Sequence, residues 1–115
     1  MLEQLNRINY LFDIYGRLLT DRQQEVLQYY FSEDYSLSEI AGHYAISRQA
    51  VHDLIRRAVE SLEKLEHKLG LYVMYENQNK LLDEADRILL VPELTQAQRK
   101  RLESIIRNLK KNNDL

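Results

Sequence analysis

The run from Ser36 to Leu62 constrains the fold more than any other part of the chain. Ser36 suits an N-cap, because its hydroxyl can accept a backbone N–H that a helix start leaves unpaired. Glu39, three residues on, can return the bond. Ile40 and Ala41 follow as inward positions. Ser47 offers a second N-cap directly after Ile46. From there Val51, Ile55, Ala58 and Leu62 recur at steps of four, three and four, one face of a helix. The spacing predicts a short helix, a turn of about three residues and a longer helix around one small apolar core. Ala41 is small where two steeply crossed helices approach, and Ile46 plugs the gap between them. That is the layout of a helix-turn-helix, whose second helix can enter a DNA major groove.

The outward face of that second helix carries Arg48, Gln49, His52, Asp53 and Arg56. Early outward positions reach base edges in this motif. Arg48 suits guanine and Gln49 adenine, with His52 beside them. Ser47 and the free N–H groups of the helix start suit a phosphate. Arg56 and Arg57 are placed for backbone phosphates. The candidate DNA-binding residues are therefore Ser47, Arg48, Gln49, His52, Arg56 and Arg57. The competing reading is a capped helix pair whose polar face meets only water.

Around this motif the periodicity predicts further helices. Leu5, Ile8, Leu11, Phe12, Tyr15, Leu18 and Leu19 fall at helical spacing, so a helix runs from Leu2 to about Leu18. Its wide stripe packs on the domain or on a second chain. Thr20, with Gln23 as box partner, opens the next helix, with Val26, Leu27, Tyr30 and Phe31 inward. Residues 32–35 read as a loop. Beyond Leu62 the stripe continues through Leu65, Leu69 and Tyr72, a heptad-like seam that fits the first helix or a second copy. Glu60, Glu63, Lys64, Glu66, His67 and Lys68 read as its wet face. Gly70 ends or bends this helix. A fifth helix spans about Tyr72 to Leu90, with Val73, Leu81, Leu82, Ala85, Ile88 and Leu89 apolar. Thr95 and Gln98 open a sixth, with Leu102, Ile105, Ile106 and Leu109 inward. The tail from Lys110 to Asp114 is expected to fray.

Composition narrows the function classes. One proline and three glycines favour long helices. The chain has no cysteine, which removes disulfides, thiol nucleophiles and Cys-ligated zinc and fits a reducing cytoplasm. No apolar run approaches the roughly 20 residues of a membrane span. His43, His52 and His67 share no metal-ligand spacing, and no phosphate loop or nucleophile elbow is present. The expectation is a non-enzymatic protein without metal or cofactor. Asp83, Glu84 and Asp86 read as a wet helix face. Tyr29, Tyr35, Tyr44 and Tyr75 are candidates for stacking on bases. The net charge is −2, unevenly spread: residues 1–36 carry three arginines against six acids, and residues 92–115 carry six basic residues against three acids. Arg99, Lys100, Arg101, Arg107, Lys110 and Lys111 therefore form a second basic surface, suited to RNA or an acidic partner.

The segment from Leu19 to Leu27, followed by Leu37–Ala41 and Ile46–Val51, resembles region four of bacterial sigma factors. In that family the helix matching Arg48–Arg57 reads a promoter element. The sequence departs from a sigma factor in two ways: no region two stands ahead of the motif, and about fifty residues follow it. Leu54 also occupies a position that is often polar or basic there. Over its whole length the chain is similar to the stand-alone YlxM family of Firmicutes. The helix ending near Tyr15-Gly16, the Leu-Thr-x-x-Gln start, the Tyr29-Tyr30-Phe31 cluster, the Ser47–Val51 core and the tail helices carry that resemblance. It implies a DNA-binding or regulatory role connected with the signal recognition particle pathway.

The expected fold is all-α. A three-helix core like sigma region four spans 19–66, with an N-terminal helix before it and a helical extension over 71–115, all in one domain of 1–115. The expected function is a cytoplasmic, homodimeric DNA-binding regulator. The alternative is an interaction protein of the targeting machinery, which binds signal recognition particle RNA or protein through the basic tail and keeps the helix-turn-helix as scaffold.

Overall fold

The computed structural model describes residues 2–112. Those residues are all-α: α1 is Leu2–Tyr15, α2 Asp21–Leu27, α3 Leu37–Tyr44, α4 Arg48–Leu69, α5 Leu71–Leu89 and α6 Gln96–Asn112. They group into two compact units, Met1–Tyr72 and Val73–Leu115.

In the first unit, α1, α2 and α3 all pack on α4. The core is Leu11 and Tyr15 from α1, Leu19, then Val26 and Leu27 from α2, Ile40 and Ala41 from α3, and Val51, Ile55, Ala58 and Leu62 from α4. The four-three-four stripe of α4 is thus the spine of the unit. Four of the six α-helices start with a capping oxygen from Ser or Thr at the expected site, three of them in this unit. Thr20 and Gln23 exchange bonds of 3.2 Å at α2, and Ser36 and Glu39 exchange bonds of 3.1 Å at α3. Ser47 accepts from the Ala50 amide at 3.0 Å.

Several positions differ from the sequence expectation. The first α-helix stops at Tyr15 and tightens into a 3-10 turn over Gly16–Leu18. Three residues per turn instead of 3.6 throws Leu18 off the apolar stripe, and it is exposed. The turn needs a small residue at Gly16, because a Cβ there would lie 3.3 Å from the Phe12 ring. After α2 the chain widens into a π-helical turn, Gln28–Ser32, from which Tyr30 and Phe31 pack half-buried against the core. The seam of α4 does not continue to its end: Leu69 is exposed. Glu66, expected on the wet face, is buried instead.

The Glu66 exception has clear partners. Its Oε1 accepts from the Tyr15 hydroxyl at 2.7 Å and from the Tyr72 amide at 2.9 Å. The same hydroxyl accepts from the Leu71 amide at 3.1 Å. Gly70 takes φ +64, the left-handed conformation that ends α4. Two amides that open α5 are therefore capped by α1 and α4 side chains, and α5 starts at Leu71 rather than Tyr72. Burial and the bond to Glu66 hold the Tyr15 hydroxyl above its ordinary pKa. One turn earlier, Arg7 of α1 grips Glu63 with two bonds of 2.9 Å. That grip holds the Glu63 carboxyl below the usual carboxylate range.

Ala45 ends α3 at φ 56, a left-handed conformation in which Cβ crowds the backbone. Ala45→Gly removes that crowding and adds some unfolded-chain entropy. The expected net gain is about 0.5–1 kcal/mol, visible as a higher denaturant midpoint at unchanged slope.

In the second unit, Thr95 and Gln98 cap α6 with bonds of 3.1 and 2.9 Å. Arg101 of α6 donates to Glu84 of α5 through two of its guanidinium nitrogens, Nε and Nη2. Ile105 is buried, but Ile106, Val73, Leu82 and Leu89, all expected on apolar faces, are exposed. Lys110 and Lys111 sit in the last turn of α6, where cations favour the helix dipole, rather than in a frayed tail. Residues 113–115, the rest of that tail, lie outside the described residues.

Candidate nucleic-acid interface

The turn between α3 and α4 fixes how the start of α4 is presented. Ile46 packs against the core and anchors the turn, and its amide bonds back to the Ala41 carbonyl at 3.1 Å. Ser47 then caps α4 from an exposed position. Because Ala41, Val51, Ile55 and Ala58 are all buried, rotation of α4 about its axis is fixed, and so is the set of residues that looks outward.

Arg48, Gln49, His52, Arg56 and Arg57 are all exposed. The structure brings the six candidate residues together on the first three turns of one helix. They are not equally available. Gln49 lies 3.4 Å from Asp53. Arg56 bonds Glu60 at 2.9 Å and approaches Asp53 at 3.8 Å. Arg48, His52 and Arg57 have no ion pair to an acid among the described residues. The outward stripe Gln49, Asp53, Arg56, Glu60 is thus internally compensated, and free positive charge flanks it.

Spacing within α4 could not reveal Arg22 of α2. Its guanidinium lies over the Tyr44 ring, 4.3 Å from the centroid, which holds it in place. With Ile46, Ala50, Asp53, Leu54 and Arg57 it lines an open groove of about 410 Å³ beside the stripe. Leu54 forms part of this wall and also packs against the core, which accounts for an apolar residue at that position. Arg22 and Arg57 therefore add two cations along one edge of α4.

The tyrosines sort differently from a stacking array. Tyr29 stacks on Tyr35 with centroids 5.0 Å apart and planes at 9°. His43 and Tyr44 close the cluster edge-on. The Tyr44 hydroxyl donates to Glu25 at 2.7 Å. Burial, then that carboxylate, push the Tyr44 phenol up. These rings engage one another beside an acid, on the π-helical turn, the loop and α3 rather than on the outward stripe of α4.

The second basic surface lies on α6, in the other unit. Arg99, Lys100, Arg101, Arg107, Lys110 and Lys111 are all exposed. Arg101 is committed to Glu84, and Arg107 sits 3.6 Å from Glu103. Among the described residues no group of three His, Asp or Glu side chains could hold a metal ion, and no helix is long and apolar enough to cross a membrane.

Comparison with known proteins agrees with this architecture. The family model described as "Putative helix-turn-helix protein, YlxM / p13 like" (UPF0122) matches residues 2–112. A UPF0122 protein of Listeria innocua is 48% identical over 86 residues, 75% of this chain and 78% of the relative. One of Symbiobacterium thermophilum is 45% identical over 98 residues, 85% of this chain and 92% of the relative. One of Oceanobacillus iheyensis is 49% identical over 83 residues, 72% and 79% of the two chains. A family match across every described residue, on an all-α helix-turn-helix, points to a binding protein rather than an enzyme, and the chain belongs to the UPF0122 family.

Proposed function

We propose that the chain is a sequence-reading, DNA-binding regulator that acts through the N-terminal turns of α4. The observation that carries this is the presentation of α4: its inner face is locked in the core while Arg48, Gln49 and His52 are exposed at its start. Arg48 and Gln49 read base edges in the major groove. The unpaired amides at the start of α4, the Ser47 hydroxyl, Arg57 and Arg22 hold phosphates. The protein works in the cytoplasm as a homodimer, since this motif reads paired half-sites about one helical turn apart.

The test is selection from a random duplex pool by the purified protein, with signal recognition particle RNA as competitor. Enrichment of a motif that the RNA does not suppress supports the reading. A pool that stays random counts against it.

The compensated stripe makes a further expectation. Asp53→Asn removes a negative charge from the DNA-facing side and loosens Arg56. Affinity for the selected duplex should rise by about 3–10-fold, and the salt dependence should steepen by about one phosphate contact. Fluorescence anisotropy across a salt series measures both. Unchanged or weaker binding would place Asp53 away from the DNA.

A second reading is favoured by one observation: Lys100 and Lys111 stand exposed on α6 with no ion pair to an acid among the described residues. They suit the signal recognition particle RNA or an acidic protein of that pathway. If this surface does the work, removing residues 92–115 abolishes partner binding, whereas contact of α4 with a single DNA half-site persists.

A further inference from the structure

We propose that the second unit is half of a four-helix bundle, completed by the α5–α6 hairpin of a second copy, with α5 of each chain against α6 of the other. The inference rests on the homodimer named above but not on DNA binding, and it locates the seam.

The first observation is an unfinished core. Among the described residues of Val73–Leu115, Ile105 alone is buried. So small a unit rarely stands on one core without a staple, and this one has no cysteine. Meanwhile α5 carries two apolar rows. Met74, Leu81 and Ile88 form the half-buried one. Tyr75, Leu82 and Leu89 form the other, at intervals of seven, and are 58%, 48% and 60% exposed. On α6, Ile106 is 52% exposed next to the buried Ile105. A straight heptad row open to water is the seam of a helix bundle that lacks its partner.

The second observation is charge. Helix α5 holds four acids against two bases, and α6 holds six bases against one acid. Like helices would repel across a two-fold axis, whereas α5 against α6 of the partner is attractive twice over. The hairpin already uses this complementarity internally, in the Arg101–Glu84 pair. Arg99 and Lys110 flank Ile106 on the same face of α6 and stand ready for the partner's α5.

The alternative seams are mostly occupied, with Leu69 of α4 and Leu5 and Tyr10 of α1 left exposed. On α4, Leu62 is fully buried and Leu65 packs into its own core. On α1, Leu11 and Tyr15 are buried there too.

Sedimentation equilibrium of the full chain, without nucleic acid, tests this. The expected mass is twice 13.8 kDa. Leu82→Lys and Ile106→Lys should each raise the dimer dissociation constant by about 100-fold or more. Both sites are exposed in the single chain, so circular dichroism should show unchanged helix content. Raising salt from about 0.05 M to about 0.5 M should weaken the dimer. A wild-type monomer overturns the proposal. So does a dimer that survives both substitutions, or one that tolerates Ile106→Lys while Leu82→Lys breaks it, because that pairs α5 with α5. Since no DNA is present, these outcomes are separate from the fate of the DNA reading.

Discussion

Glu66→Ala is expected to destabilise the helix-turn-helix unit by about 3–6 kcal/mol, from two bonds to a charged acceptor at roughly 1.5–3 kcal/mol each. The substitution strips the Tyr15 hydroxyl and the Tyr72 amide of one shared acceptor, at 2.7 and 2.9 Å. Both donors then lose that acceptor at a junction shielded from water, which adds a desolvation cost to the lost bonds. The junction between α4 and α5 loosens with them. Tyr15→Phe should cost less, about 1.5–3 kcal/mol, because the ring still fills the core and Glu66 keeps the Tyr72 amide. Urea titration followed by circular dichroism measures both. Equal, near-zero effects would mean that the buried carboxylate does not hold the junction.

Arg48→Ala carries the largest expected effect on binding. Arg48 is exposed at the first position of α4, and no acid among the described residues competes for it. A bidentate contact to guanine contributes roughly 1–3 kcal/mol of discrimination. Affinity for the selected duplex should therefore fall by about 5–150-fold, with relaxed preference at one base pair. Arg57→Ala should instead weaken all duplexes about equally and flatten the salt slope by about one. The two variants thus separate reading from positioning.

Much of the fold was legible because its signals are local. Caps at Thr20, Ser36, Ser47 and Thr95 need only an oxygen and an amide three residues on. The stripe of α4 needs only periodicity. What escaped the sequence depends on distant parts. Glu66 looks like a wet-face residue until Tyr15, fifty-one positions away, closes on it. Arg22 enters the edge of α4 only because α2 packs there. Periodicity also says which residues share a face, not what covers it, so Leu82 and Leu89 on the apolar face of α5 and Ile106 on the inward face of α6 stand exposed. Leu18 was misjudged because a 3-10 turn changes the period within three residues.

The candidate site was legible in its membership but not in its electrostatics. Six residues on one helical stretch follow from spacing. The neutralisation of Arg56 by Glu60 and Asp53 follows from neighbours at three and four positions, a rule that applies equally to the sequence.

The measurement that bears most directly on the account is the affinity of the wild-type chain and of Arg48→Ala for a duplex selected from a random pool, at fixed salt, beside a scrambled duplex. The account predicts tight binding to the selected site, a loss of about 5–150-fold in the variant, and near-equal binding of both proteins to the scrambled control. Equal affinity of the two proteins for the selected site would contradict it and remove α4 as the reading element.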